Sequence, residues 1–131
     1  MPPTRHLRWA VFVVGLDPVV GHEQAGERRA LVVSYEPYHQ SGNMTICPIS
    51  AARSSPRYPT EVAIPVGEGG QTLPGVILCQ QVRTVSLQRA QAFKGYVTDP
   101  AIRAAVRRAL AHHLGLDRVP TEDGATGAAF R

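Results

Sequence analysis

Only one of the 14 basic residues in this chain is a lysine, Lys94. A positive balance carried by guanidinium forks, which grip a phosphate at two points, leans toward a nucleic-acid partner. An arginine-favouring codon bias would give the same composition. Acids are outnumbered, 10 against 14, so the net charge is +4 and the pI lies near 9.6. Cysteine is scarce as well. Cys47 and Cys79 both sit inside apolar runs, which fits two buried hydrophobes in a reducing compartment better than a disulfide. Long apolar runs are missing: residues 10–16 are too few to span a bilayer, and no segment joins a basic start, an apolar core and a cleavage site. These absences point to a soluble, cytoplasmic protein. No tract is polar enough to suggest wholesale disorder, and 131 residues with 44% hydrophobic content suit one domain with a real core.

What is present reads mostly as strands. After a lead-in blocked by Pro2 and Pro3, RWAVFVVGL (8–16) is Val-rich, short and closed by a turn. Residues 30–34 form a second buried run, and EPYHQSGN (36–43) a loop with at most one helical turn. MTICPIS (44–50) is a third strand in which Pro48 argues for an edge or a bulge. TEVAIPV (60–66) alternates, with Val62, Ile64 and Val66 on one face. GEGGQTLP (67–74) is a glycine-rich turn, and GVILCQQVRTV (75–85) the longest strand signal. Ser86 can cap a helical turn over 86–89, and 95–97 allows one more short strand.

The period then changes. Asp99 caps a helix with Pro100 at its first position, Ile102, Val106, Ala109, Leu110 and Leu114 form its apolar stripe, and Gly115 stops it. Residues 120–131 read as a disordered tail. About six short strands, one terminal helix and no βαβ alternation predict a mainly β fold: a small antiparallel barrel with a helix packed on one side.

The chemistry-bearing groups concentrate in residues 16–33, LDPVVGHEQAGERRALVV, where His22, Glu23 and Gln24 lie in a polar loop followed by Arg28 and Arg29. Cleaving RNA by its own 2′-hydroxyl needs a base, a cation for the crowded phosphate and a proton for the leaving oxygen. Glu23, His22 and Arg28 can supply all three. A solvated loop whose arginine pairs with its glutamate would have the same spacing. His112 and His113 point about 100° apart on a helix, with no carboxylate a turn before them, so no metal site is expected there or elsewhere. GEGG precedes no helix, which removes a phosphate-binding loop. No cofactor is expected.

DPVVGHEQAGERRALVV resembles the signature loop of the MazF/PemK/Kid toxins, small ribonucleases of bacterial toxin–antitoxin pairs. The resemblance runs from about Arg8 to Leu116 and its motifs fall in order. Arg28 matches the catalytic arginine, and Ser50 the Thr or Ser after the third strand. Tyr58-Pro-Thr-Glu-Val resembles YP-x-E-V, and residues 76–85 resemble the V-[VI]-L-x-[DE]-Q-[IV]-R-T-[IV] strand. Three departures stand out. Trp9-Ala10 replaces a Gly-acid pair, Arg29 replaces a proline, and Gln80 replaces an acid that has a proton-accepting role in some members.

The resemblance implies an SH3-like (CcdB/PemK-type) barrel over residues 7–117, with 118–131 as a tail. It implies a metal-independent endoribonuclease that cuts single-stranded RNA, leaving a 2′,3′-cyclic phosphate and a 5′-hydroxyl. Arg28 would stabilise the phosphorane, Ser50 bind the phosphate, and Glu23 and His22 orient Arg28 or move protons. RNA contacts would come from Gln24 and Arg29, from Arg53, Arg57 and Tyr58 on one hairpin, and from Gln81 and Arg83. The implied partners are a second copy of the chain and a cognate antitoxin with an acidic, partly disordered segment. The alternatives are a barrel that has lost catalysis and only binds RNA or antitoxin, and a CcdB-like gyrase inhibitor.

Overall fold

A computed structural model describes residues 5–16 and 27–118. Among them are seven strands: β1 (Ala10–Gly15), β2 (Glu27–Val32), β3 (Asn43–Ser50), β4 (Glu61–Ile64), β5 (Gly75–Leu78), β6 (Arg83–Ser86) and β7 (Ala90–Tyr96), followed by one helix, α1 (Pro100–His113). Short 3₁₀ turns cover Glu36–Ser41, Glu68–Gly70, Cys79–Gln81 and Leu87–Arg89. All pairing is antiparallel, in the order β4-β5-β3-β2-β1-β7, with β6 also on β3. The class is as expected, mainly β with a C-terminal helix. The barrel is open, because its end strands β4 and β7 do not pair.

The uninterrupted apolar runs have a simple origin: both faces of the central strands are buried. Val11, Leu31, Cys47 and Ile49 face one core, shared with Ile64, Ile77 and the α1 residues Val106 and Ala109. Their neighbours Phe12, Val14, Ala30, Val32, Met44 and Ile46 face a second core, closed by Leu7, Leu16 and Val85. The thiols of Cys47 and Cys79 are free and buried, and Cys79 beside it pushes the Cys47 thiol up. Helix α1 lies on β4 and the Cys79–Gln81 turn. Asp99 Oδ1 accepts from the Ala101 N–H at 2.9 Å and Pro100 starts the helix, while Gly115 ends it at φ 71°. It is too short and too polar to cross a membrane, as is every other helix among the described residues.

Four strand expectations are corrected. Pro48 is not at an edge; it is buried in β3, the strand with the most partners. The Val33 N–H donates to the Thr45 carbonyl, so the odd positions of β3 turn their amides toward β2 and the even ones, Pro48 included, toward the other edge. On that edge β6 pairs through Ile46 and β5 begins at Ile49, so no strand asks for the N–H that Pro48 lacks. For the same reason the single strand expected over 75–85 is two strands. β5 and β6 follow one another along one edge, and the Cys79–Gln81 turn between them faces the gap at Pro48. The short strand expected over 95–97 is the end of the seven-residue β7. Its Ala, Gln and Lys positions are largely exposed, so it carries no apolar alternation to read. Val66 lies beyond β4 and is 59% exposed.

The turn Glu68–Gly70 fills the open side of the barrel against β7. Gly70 has φ 70°, and a Cβ there would lie 1.9 Å from the Lys94 carbonyl oxygen. Two residues earlier, Glu68 accepts from the backbone N–H groups of Thr98 (2.8 Å) and Asp99 (3.0 Å), tying the seam to the start of α1. Gly42 also has positive φ, 88°, but a Cβ there would meet nothing within 4 Å. Gly70→Ala is therefore expected to destabilise by more than about 2 kcal/mol and Gly42→Ala by about 1 kcal/mol. Thermal melts of the two variants check this, and equal melting temperatures would show that the seam tolerates a side chain.

Candidate active site

The loop expected to hold His22, Glu23 and Gln24 lies outside the described residues. Its two ends are fixed. The β1–β2 ladder closes with Gly15 opposite Glu27, and Arg28 sits one pair inside it, opposite Val14. On its other side β2 pairs with β3, Ala30 opposite Pro48. Carried two residues on, that register sets Arg28 level with Ser50. Both positions lie on the face of Ala30, Val32 and Ile46, at the end of the second core. Alternation along two strands thus aligns an exposed arginine with a serine that is 9% exposed.

Arg28 lines a cleft of ≈ 210 Å³ with Arg29, Ile49, Ala51, Gln71, Thr72 and Leu73. Ser50 lies between two of these residues and closes β3, its Oγ accepting from the Ala52 N–H at 3.3 Å. The volume falls below that of sites that engulf a drug-sized ligand and suits a phosphate with part of its sugar. Arg29 forms the wall. Its guanidinium donates to the Gly70 carbonyl at 2.9 Å and to Gln71 Oε1 at 3.2 Å. Gln71 is 5% exposed and in turn donates to the Leu73 carbonyl at 3.3 Å. Sequence reasoning missed Gln71. The only signal was a lone polar residue closing a glycine-rich turn.

A second polar cluster forms on the loop between β3 and β4, two strands separated by β5. Glu61 accepts a two-pronged contact from Arg53, 2.7 Å to Oε1 and 2.8 Å to Oε2. The Arg57 backbone N–H adds a bond of 2.8 Å and the Gln80 amide one of 2.7 Å. The Gln80 carbonyl accepts from the Thr60 hydroxyl at 3.2 Å. The Glu61 side chain is wholly inaccessible. Its pKa falls from 4.5 to about 2, chiefly through the Arg53 fork; burial opposes the drop, and Arg57 and Gln80 add to it. Glu61 was not among the sequence candidates, although it stands in the YP-x-E-V match.

The expected site residues therefore divide. Arg28 and Arg29 line the cleft with Ile49 and Ala51, whereas Ser50 between those two is not part of its lining. Arg53 is half-buried and engaged by Glu61, whereas the Arg57 and Tyr58 side chains point outward, Tyr58 59% exposed. Gln81 and Arg83 are half-buried, Arg83 opposite Ile46, four residues along β3 from Ser50 and so roughly 13 Å away. Gln80 belongs to the Glu61 cluster and lines no part of the cleft. No three His, Cys, Asp or Glu side chains among the described residues are grouped to hold a metal ion.

Comparison with known proteins adds a family. The profile described as "PemK-like, MazF-like toxin of type II toxin-antitoxin system" matches residues 7–114. The Escherichia coli K12 protein named endoribonuclease toxin ChpB is 33% identical over 103 residues, which span 77% of this chain and 88% of that protein. MazF from Deinococcus radiodurans has a similar structure, with TM-score 0.69 and 30% identity over 82% of this chain and 94% of that one. A MazE–MazF structure from the same organism gives TM-score 0.64 and 27% identity, covering 82% and 94%.

The Glu61 cluster has a measurable acid signature. Because the folded-state pKa lies below the unfolded one, its stabilisation is complete above about pH 4.5 and drains away as pH falls toward 2. The drop from 4.5 to about 2 corresponds to about 3 kcal/mol. Denaturant melts between pH 6 and pH 2 should show that loss in the wild type and much less of it in Glu61→Gln. Parallel curves for the two proteins would contradict the assignment.

Proposed function

The chain belongs to the PemK-like, MazF-like toxin family of type II toxin–antitoxin systems, and we propose that it is an endoribonuclease toxin that cuts single-stranded RNA by attack of the 2′-hydroxyl, without a metal ion, leaving a 2′,3′-cyclic phosphate and a 5′-hydroxyl. The observation that carries the reading is the exposed Arg28 lining a phosphate-sized cleft beside the Ser50 end of β3. The relatives' names support cleavage over gyrase poisoning and over a barrel that only binds. One domain over residues 7–117 agrees with the matched span.

Arg28 stabilises the pentacoordinate phosphorane. A guanidinium is a poor literal acid, so its work is electrostatic. Ser50 hydrogen-bonds the phosphate, and Arg29, fixed on Gly70 and Gln71, shapes the wall behind it. Gln80 has almost no basicity and its amide is already engaged by Glu61 and Thr60, so the base is assigned to the loop, to Glu23 with His22 beside it. The outward Arg57 and Tyr58 contact phosphate and base beyond the cleft, with Gln24, Gln81 and Arg83 as further contacts. Two copies build the full RNA groove, and an acidic antitoxin segment competes for it. The setting is the cytoplasm.

Purified protein should cleave single-stranded RNA in excess chelator. Arg28→Ala should lower the rate roughly 10²–10³-fold with the fold intact, and Arg28→Lys should fail nearly as badly, since a point charge does not reproduce the fork. Chelator-sensitive cleavage restored by a divalent ion would exclude the metal-free mechanism, and near-normal rates in both variants would make Arg28 a bystander.

Glu23 is separable from a mere brace of Arg28 by its pH profile. With Glu23 as the base, Glu23→Gln should slow cleavage strongly and erase the acidic limb of the rate profile. A slower enzyme that keeps that limb would leave Glu23 as an orienting group.

A further inference from the structure

We propose that Glu61 is a positioning residue for RNA binding: its carboxylate holds the β3–β4 loop in the conformation that presents Arg57 and Tyr58, and Gln80 serves there as the amide donor that completes the carboxylate's shell. The inference rests on the reading that this loop contacts RNA.

The loop has no ladder of its own, because β3 and β4 do not pair with each other. Residues 51–60 lie between strands and are exposed except for the half-buried Arg53 and Thr60. They are folded around one side chain instead. A carboxylate offers about four acceptor sites, and Glu61 has four donors, two from Arg53, one from the Arg57 N–H and one from Gln80. Arg53 also donates to the Ser55 carbonyl at 3.0 Å, bracing the tip. Tyr58 is pinned on both sides. The N–H of Arg57 before it is held by the carboxylate, and the Glu61 N–H donates to the Tyr58 carbonyl at 3.0 Å. A rigid backbone therefore carries an exposed guanidinium beside an exposed ring, the pair that grips a phosphate and stacks on the adjoining base.

The same geometry explains the amide at position 80. The Thr60 hydroxyl occupies the Gln80 carbonyl, which turns the NH₂ toward Glu61. An ionised acid at that position would set two carboxylates in contact, and one would have to take a proton or withdraw. Gln80 here is a donor in the loop's brace.

The test measures the affinity of full-length protein for single-stranded RNA blocked against cleavage by 2′-O-methylation. Arg57→Ala should weaken binding about tenfold, a loss in the range of one backbone or stacking contact. Glu61→Gln should weaken it at least as much, and adding Arg57→Ala to it should cost little more, because Arg57 is already out of place. On cleavable RNA both variants should raise KM more than they lower kcat. Gln80→Glu should bind weakly at neutral pH and recover toward pH 5, where the new carboxyl regains a proton and donates to Glu61. Arg53 and Arg57 face that position from the loop, and Arg108, His112 and Asp117 share a cavity of ≈ 440 Å³ with Glu61 from the side of α1. The wild type at each pH is therefore the control for their titration.

Fully additive losses in the double variant, or wild-type binding by a folded Glu61→Gln protein, would overturn the role of Glu61. If Glu61→Gln fails to fold, absence of the pH-dependent recovery in Gln80→Glu overturns it. Unchanged binding in Arg57→Ala and Tyr58→Ala would instead refute the β3–β4 loop as an RNA contact, and an intact wild type that neither binds nor cuts RNA would refute the endoribonuclease reading.

Discussion

One backbone amide that does not exist sets the layout of this protein. Pro48 lies in β3, between β2 on one edge and two successive strands on the other, and its missing N–H points to the edge where those strands hand over. β5 pairs there with Ile49 and Ser50, β6 with Asn43 to Ile46, and the three-residue turn Cys79–Gln81 takes up the step between the two registers. A continuous partner strand would have met an unfilled carbonyl opposite Pro48. The break turns that defect to use, because it takes Gln80 out of the ladder and sets its amide against Glu61. Two residues beyond Pro48 the same strand brings Ser50 toward the register of Arg28. Cleft and loop brace are therefore held by one rigid strand, which fixes their spacing without a dedicated linker.

The arginines are sorted by exposure, Arg29, Arg53 and Arg103 half-buried and Arg28 and Arg57 exposed. Arg29, Arg53 and Arg103 spend their donors on the protein itself: on Gly70 and Gln71, on Glu61, and on the Val97 carbonyl at 2.8 Å. Arg28 and Arg57 stand exposed at the sites assigned to RNA. Composition registers only the sum, so a basic pI marked a class of partner but not which guanidiniums meet it. Arg53 illustrates the gap. Its loop position and charge gave it the same standing as Arg57, and only the Glu61 carboxylate eight residues on in sequence tells them apart. A local pairing of this kind leaves no periodic trace.

Wherever burial alone decides the structure, the sequence was readable. The apolar runs of β1, β2 and β3 and the stripe of α1 stood out because one or both faces are buried. The caps at Asp99 and Ser86 were visible because each is a local side-chain bond, Ser86 Oγ accepting from the Gln88 N–H at 3.1 Å. The break in 75–85, the length of β7 and the central place of Pro48 depend on partner strands that no local pattern encodes. Trp9 is the sharpest case. It occupies a position where the family usually has glycine, and its φ is 71°, a left-handed conformation costly for a bulky side chain. The ring is 5% exposed in the first core, with the guanidiniums of Arg8, Arg103 and Arg107 each 5.3 Å from its centre. Burial and cation–π contact offset the backbone cost.

Gln80 closes the argument about proton transfer. In members with an acid at this position, the group can take a proton. Here the side chain is committed at both ends, and its neighbour Glu61 is held ionised well below the usual carboxylate range by the Arg53 fork. Neither member of the pair is free to titrate near neutral pH. Exchanging the acid for an amide also removes a negative charge from a face that must attract phosphate, and at an effective dielectric near 20 one such charge at about 8 Å amounts to about 2 kcal/mol of repulsion before salt screening. The exchange thus favours phosphate binding on this face, and under the proposed mechanism the proton falls to Glu23 and His22, in the sequence between Gly15 and Glu27.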